Sequence, residues 1–366
     1  MSRLLLLLPS PPEPADAGAR IRNAGLRELL AADHQVDTLV PSARPRSARR
    51  RIADMLRSDL PDMAQRLWSR DFADRVRRQL RQHRYDAVQA EGIEMARFLE
   101  LAPSVPWVYD AHNAEFLLQR RLAQTAAPLT RLYSRLQWRR LARFEREVVR
   151  RCRLTLAVSD HDANQLMALA GPTATVRVIP NAIDADHYPF HIPPERQQAN
   201  VLFVGKLDFR PNADALAWFL REVHPRLGDA RLFAVGDSPP GWLVAAGQHD
   251  ERVAVTGYVV DERPYFARCA ALVLPVQTGG GSRLKALVAM ASGLPVVSTR
   301  LGMEGLEVEP GIHYLQADTV EEWVVGLRRL SNEAALRRQL ACNARALVEQ
   351  RYTWSAQRER VREAYA

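Results

Sequence analysis

Gly279-Gly280-Gly281-Ser282-Arg283-Leu284-Lys285, continuing through Ala286-Leu287-Val288-Ala289-Met290 into Ala291-Ser292-Gly293-Leu294-Pro295-Val296-Val297, decides the fold. An apolar run, Ala271–Leu274, leads into the glycines, and a helical stretch from Arg283 to Ala291 follows them. A tight turn then delivers a second apolar run, Pro295–Ser298. Short strands that are apolar on both faces, joined through a helix, belong to a parallel sheet. The loop between first strand and helix also carries chemistry. Its glycines let the backbone approach a ligand, and the free amides of a helix start favour an anion. A serine and two cations in that first turn make a pocket of diphosphate size.

The same alternation extends outward in both directions. In the second half, strands are expected at Val201–Val204, Arg231–Val235 and Val253–Val255, with helices at Ala213–Leu227, Arg263–Ala267 and most of Val320–Gln350. In the first half the strand candidates are Leu4–Leu8, Val36–Val40, Tyr85–Val88, Trp107–Tyr109, Thr155–Val158 and Val176–Ile179, with a long helix near Leu129–Arg151. The expected class is therefore α/β: two Rossmann-like parallel-sheet domains facing a central cleft, with ligands at the carboxyl ends of the strands. At 366 residues the chain exceeds one ordinary hydrophobic core. The expected division is 1–190, 191–350 and a closing helix over 351–366.

Charge divides the chain in the same place. Residues 1–180 hold 30 arginines, no lysine and 20 acidic residues; residues 181–366 are almost balanced, with 21 basic and 22 acidic. A basic first half suits acidic lipid, nucleic acid or an anionic substrate. The basic amphipathic stretch Arg131–Arg153 reads either as a helix resting on anionic headgroups or as an ordinary packed helix with an arginine face. The run Arg44–Arg51 reads as a solvated loop. Three scattered cysteines, Cys152, Cys269 and Cys342, form no disulfide frame or metal cage. The apolar run Leu4–Leu8 is too short for a signal peptide, so a cytoplasmic protein is expected, with peripheral membrane contact a candidate.

Only two lysines occur, and their positions are informative. Lys285 lies in the glycine loop. Lys206 lies in Gly205-Lys206-Leu207-Asp208-Phe209-Arg210-Pro211-Asn212, which leaves a strand through glycine and enters a helix with Asn212 as the expected cap. Both turns would stand at one sheet edge, where Lys206 and Arg210 together suit a phosphate; two unrelated surface cations are the plainer reading. In the first half, Tyr109-Asp110-Ala111-His112-Asn113-Ala114-Glu115 follows a strand as a dense polar cluster. Glu91 ends another strand and reads equally as an acceptor contact or a helix cap. Ser159-Asp160 reads as a helix cap.

Together these segments resemble retaining glycosyltransferases of family 4, with the two-domain GT-B fold. The resemblance runs over nearly the whole chain and rests on Gly205–Asn212, Gly279–Val297, Pro180–Asp184 and Gly302–Leu306. It implies sugar transfer from a UDP-, GDP- or ADP-sugar to a glycan or lipid-linked acceptor in cell-surface polysaccharide or glycolipid synthesis. No cofactor or metal is expected, and Asp184-Ala185-Asp186 has metal-site spacing but belongs to the interdomain turn. By the resemblance His112, Lys206 and Arg210 are catalytic, with Asp110 orienting His112. Gly18, Arg20, Gly205, Gly280, Gly281, Ser282, Arg283, Leu284, Lys285 and Val288 line the donor. One position departs from the family pattern. Val288 stands where a glutamate usually grips the nucleotide ribose, and losing that hydrogen bond costs on the order of 1–3 kcal/mol. Glu304 and Glu307 are candidates to replace it. The departure keeps open a second class, a weak or inactive GT-B protein acting as a partner subunit. Nucleic-acid binding finds no recognised motif and is not expected.

Overall fold

The computed structural model describes residues 1–13, 18–42, 47–125, 128–192, 194, 199–278 and 283–366. Among the described residues the chain forms two compact units, Met1–Asn181 with Gln357–Ala366, and Ala182–Gly279 with Arg283–Ala356. Each is a parallel sheet covered by helices.

The first unit holds β1 (Arg3–Leu7), β2 (Gln35–Leu39), β3 (Ala87–Glu91), β4 (Trp107–Ala111), β5 (Leu154–Ala157) and β6 (Val176–Val178). They lie in the order β2-β1-β3-β4-β5-β6, all parallel. Because β1 is flanked by β2 on one side and β3 on the other, the winding direction reverses between β1 and β3. The loops after those strands diverge there and leave a crevice at the carboxyl edge. Leu5, Leu7, Val88, Ala90, Tyr109, Phe72, Phe98 and Val149 are among the buried side chains of the core. Phe98 stands edge-on to Phe72 at 4.8 Å, an arrangement that favours aromatic pairs.

The second unit contains β7 (Val201–Val204), β8 (Leu232–Val235), β9 (Val253–Gly257), β10 (Ala271–Leu274), β11 (Val296–Ser298) and β12 (Leu315–Gln316). Their order is β12-β11-β10-β7-β8-β9, again parallel, so the reversal falls between β7 and β10. Those are the strands that feed the two lysine-bearing loops. Trp323 is fully buried against Phe219, with ring centres 5.8 Å apart and planes at 79°.

Several elements differ from the expected ones. The helix expected over Ala213–Leu227 begins at Arg210 and ends at Trp218, continuing as a wider turn, Phe219–Val223, and a tighter one, His224–Arg226. Pro225 has no N–H to offer an α-helical ladder there. The stretch Val320–Gln350 is two helices, Val320–Asn332 and Ala334–Arg351. Buried Arg337 serves the carbonyls near the break, donating to Leu330 O at 2.5 Å, Ser331 O at 3.1 Å and Pro194 O at 2.7 Å. β12 is two residues long, too short to show any period. Of the run Arg44–Arg51 expected as a loop, residues 44–46 lie outside the described set and Ala48–Arg57 is a helix. The final helix spans Trp354–Tyr365, and Arg362 on it pairs with Asp33 of the first unit at 2.8 Å.

Candidate functional site

In the first unit, β4 runs two residues further than Trp107–Tyr109, so Asp110 is a strand residue rather than part of a loop. In register it stands directly opposite Glu91, the last residue of β3. Adjacent parallel strands thus present two fully buried carboxylates side by side. Two such charges need a cation, and Arg22 supplies it. This residue sits on the buried face of the helix Gly18–Asp33 and donates to Asp110 through Nε at 2.8 Å and Nη2 at 2.6 Å. Its Nη1 reaches Ile179 O at 2.9 Å. Burial opposes ionisation of Asp110, but the fork from Arg22 wins and holds the carboxyl well below the ordinary carboxylate range.

Glu91 lacks such a fork. Burial first and neighbouring Asp110 second push its carboxyl up to about 7. Gln89, two residues back on the same face of β3, donates Nε2–H to Glu91 Oε1 at 2.5 Å. Tyr365, on the final helix, donates its hydroxyl to Gln89 Oε1. Asn23, with its amide nitrogen turned inward, donates to Ala19 O at 3.0 Å and Glu91 Oε2 at 3.2 Å.

His112 lies just past β4, with Nε2 3.5 Å from Asp110 Oδ2 and 3.6 Å from Glu91 Oε2. Burial would lower its pKa, yet the two carboxylates outweigh that and raise it to about 10. Nε2 also lies 3.1 Å from the Asn23 amide nitrogen, a contact that suits only a neutral ring. The paired carboxylates decide for the imidazolium, leaving the Asn23 amide held by Ala19 and Glu91. The other ring nitrogen lies beside Gly92, where a Cβ would come within 3.4 Å of it and 3.1 Å of Glu94 Oε2. Gly92 also has φ +79°, a conformation that favours glycine. So His112 presents a fixed, partly exposed cation beside a side-chain-free position.

Ligand atoms of Glu91, Asp110 and His112 lie within 4.8 Å of one another, a spacing a metal could use. The residues present do not fit one. Both Asp110 oxygens are taken by Arg22, and Gln89 occupies one of Glu91. A guanidinium already holds the cation's place.

The His112 loop is secured from a distance. Glu145, in the helix Pro128–Arg151, is fully buried and accepts from Phe116 N at 2.8 Å, Glu115 N at 3.2 Å and Tyr109 Oη at 3.1 Å. It therefore caps the start of the helix Glu115–Thr125, although burial and neighbouring Glu115 push its carboxyl up to about 8. Asp162 accepts the Ala114 amide at 3.0 Å, and Ser159 caps its own helix through Asp162 N at 3.1 Å.

In the second unit, Gly205 ends β7 with φ +139°. A Cβ there would meet Lys285 Nζ at 3.1 Å and Asn212 Nδ2 at 3.3 Å. Close by, a Cβ on Gly236 would stand 1.8 Å from Gly205 O, so the loops after β7 and β8 abut as bare backbone. Asn212 does not cap its helix as expected. Pro211 sits in the first helical turn, so the helix starts earlier, with Phe209 as its cap residue. Asn212 instead donates to Lys206 O at 2.8 Å and accepts from Lys285 Nζ at 2.9 Å. This ties the two loops together. Lys285 is half-buried over the Phe203 ring at 4.7 Å, and desolvation first, then Arg283, lowers its ammonium to about 8.

Lys206 and Arg210 are more than half exposed and rest on Asp208 at 3.0 Å and Asp214 at 3.6 Å. Arg283 is turned to backbone, donating to Leu301 O at 2.6 Å and Glu304 O at 3.2 Å. Leu284 opens the helix Leu284–Ala291, and Val288 is buried within it. Glu307 is engaged by Arg351, and its backbone amide donates to the Tyr352 hydroxyl at 2.7 Å. Gly18 begins its helix with Arg20 in the first turn. Gly280, Gly281 and Ser282 lie outside the described residues. Asp184-Ala185-Asp186 is a single tight turn closed by Asp184 Oδ1 on Asp186 N at 3.0 Å.

Arg22, Asn23, Gln89, Glu145 and Tyr365 belong to the site or its support without having been singled out in the sequence. For Arg22 a signal existed: it shares one helical face with the buried Leu26 and Leu30, where a charge requires a partner.

Residues 26–187 match the model described as Glycosyltransferase Family 4, and residues 198–333 match Glycosyl transferases group 1. An uncharacterised 44.6 kDa protein in the cps region of Klebsiella pneumoniae is 26% identical over 174 residues. That match spans 42% of this chain and 42% of the relative's length. Among solved structures, sucrose-phosphate synthase from Thermosynechococcus elongatus is similar with a TM-score of 0.77 at 17% identity, covering 100% of this chain and 98% of that one. WaaG, a glycosyltransferase involved in lipopolysaccharide biosynthesis, aligns at 0.69 with 19% identity over 99% of each chain. HepE from Anabaena, in complex with UDP and glucose, aligns at 0.68 with 17% identity over 100% and 99%. These likenesses show the fold, two Rossmann-like units of the GT-B type.

Proposed function

Because this chain belongs to the glycosyltransferases of group 1, family 4, we propose that it moves a sugar from a nucleoside-diphosphate donor to a glycan or lipid-linked acceptor. The observation that carries this reading is the paired loop of the second unit, where Asn212 links the Lys206 loop to Lys285 beneath glycine-only backbone. Lys206 and Arg210 stand exposed at that edge on carboxylates a diphosphate can displace. They would neutralise the charge that grows on the departing diphosphate, with the start of the helix Leu284–Ala291 contributing its amides. A UDP-sugar is the favoured donor, since HepE was solved with UDP-glucose; GDP- and ADP-sugars are the competing ones.

In this reading the imidazolium of His112 faces the transferred sugar, and Glu91 with Asp110 keeps it charged and aimed. The bond from the anomeric carbon to the diphosphate oxygen breaks as the acceptor oxygen bonds the same face. The acceptor proton passes to the leaving phosphate, and the configuration is retained. No metal is required, because the cations are side chains. Val288 supports a second reading, a donor site too weak for efficient turnover, since its buried helix position offers the ribose no acceptor.

A thermal-shift series with UDP, GDP and ADP tests the proposal. One nucleotide is expected to stabilise the protein, and Lys206→Ala should lose a charge-assisted bond of about 1.5–3 kcal/mol, roughly 10- to 150-fold in Kd. No shift with any nucleotide at millimolar concentration would refute donor binding. A shift without sugar transfer to any acceptor would favour the second reading.

A further inference from the structure

Behind Glu91 lies a chain of polar groups that the transfer reading does not use. Gln89 and Glu91 stand two residues apart on one face of β3, and both are fully buried. The two ends of the Gln89 amide have different partners. Its Nε2 donates to Glu91 Oε1 at 2.5 Å, and its Oε1 accepts from the Tyr365 hydroxyl. Tyr365 comes from the helix Trp354–Tyr365, which Arg362 also ties to Asp33 with bonds of 2.8 and 3.0 Å. Burial first and the charge on Glu91 second hold the Tyr365 phenol well above its ordinary value, so it stays a hydroxyl and a donor.

An amide can turn over, and here the two orientations are not equivalent. As it stands, Gln89 offers Glu91 an N–H, which suits a carboxylate. Turned over, it would set an oxygen against Glu91 Oε1, which suits only a protonated carboxyl. The Tyr365 hydroxyl would then lose the amide oxygen as its acceptor. The charged groups around Glu91 and His112 are Asp110 on β4, Arg22 on the helix Gly18–Asp33, Glu94 in the short helix after β3, and Glu115. The His34 ring lies 6.2 Å from that of Tyr365. Among the described residues none of these hydrogen-bonds Gln89, so its orientation is set by Tyr365 and Glu91 alone. We propose that Tyr365 is a positioning residue: through the Gln89 amide its hydroxyl keeps a donor on Glu91 Oε1, and so keeps Glu91 Oε2 a carboxylate oxygen for His112 Nε2, 3.6 Å away. The relay lies wholly in the first unit. Its bearing on sugar transfer rests on the function proposed above, whereas its hold on His112 does not.

The intact protein is labelled with nitrogen-15 histidine, and the ring of His112, one of nine, is identified by its loss in His112→Gln and followed as pH is raised. Tyr365→Phe keeps the ring and removes only the hydroxyl. His112, raised to about 10 in the wild type, should titrate lower in this variant, in the direction given by Glu91→Gln but by less. Gln89→Met should act likewise, and the two changes together should do little more than either, because both cut one chain. Arg362→Ala loosens the same helix without touching the amide and should leave His112 where it is. With UDP-glucose as the probe, release of UDP by Tyr365→Phe should fall in kcat by up to about 100-fold at constant KM. A wild-type His112 titration in Tyr365→Phe, or additive effects of the two changes, would overturn the proposal. So would an equal shift in Arg362→Ala, which would make the helix a brace alone. Absence of UDP release from the wild type, with His112 still moved by Tyr365→Phe, would count against transfer from UDP-glucose and leave the relay standing.

Discussion

Arg22→Met leaves Asp110 fully buried beside Glu91 with only the His112 imidazolium, 3.5 Å away, to balance two carboxylates. The wild-type guanidinium gives Asp110 two bonds, at 2.8 and 2.6 Å, and Ile179 O a third at 2.9 Å. Methionine restores much of the volume but none of these, so the expected cost is about 3–5 kcal/mol of stability. For a unit of this size that is a fall in Tm of about 6–20 °C. The cost has a sign in pH. In the wild type Asp110 is held below its ordinary value of 3.8, so its contribution is present above that pH and lost on acidification. In the variant the same carboxyl is raised, so its contribution is present in acid and lost as pH rises. The wild-type contribution is already complete at pH 5, so the gap between the proteins should be present there and widen towards pH 8 as the variant's penalty grows. Urea unfolding at both pH values measures it. Arg22→Met with Asp110→Leu should recover most of the loss, because replacing both members of a buried pair is close to neutral. A gap below about 1 kcal/mol, or one that widens in acid, would refute the assignment of Arg22 as the site's internal counter-ion.

Glu91 is raised from 4.5 to about 7, so its contribution is present below 4.5 and lost as pH rises through 7. Glu91→Gln should give a flatter Tm profile across that window, and an NMR titration should find His112, raised to about 10, titrating lower in the variant. Lys285 is lowered to about 8, and a bound diphosphate would restore its charge. Calorimetry near pH 8 in buffers of different ionisation enthalpy should then show uptake of about half a proton per nucleotide bound. Gly205→Ala forces a side chain into a φ of +139° and against Lys285 Nζ, costing about 1–3 kcal/mol of stability, read as a lower Tm, and weakening nucleotide binding as well. Val288→Glu should lower the melting temperature of the ligand-free protein, since it buries a carboxylate. It should raise the shift given by the nucleotide by up to about 1–3 kcal/mol. An unchanged shift would mean the ribose does not meet this position.

The parallel sheets were legible because their strands are uniformly apolar, and β7 and β10 fall where the sequence puts them. Glycines and the two lysines pointed to the reversal point of the second sheet for a related reason: loops that hold phosphate need bare backbone and fixed charge. What was not legible depends on packing across distance. Asp110 reads as a loop residue until β4 is seen to extend under it. Its partner Arg22 is 88 positions away, and Glu145 reaches Phe116 from 29. Nor does the sequence tell which arginines face a ligand: Arg283, expected on the diphosphate, is spent on two backbone carbonyls.

Tyr365 and Gln89 are separated by 276 positions, yet one hydrogen bond joins them behind Glu91. A ribosome making this chain releases β1 to β6 long before it releases the helix that completes their unit. Until then the strands of the first unit are all present, but Gln89 lacks its hydroxyl donor. The later-made segment thus finishes the earlier-made site. A nascent chain stalled after Arg351 should bury its first sheet while leaving His112 without its final geometry, so synthesis itself orders folding before competence.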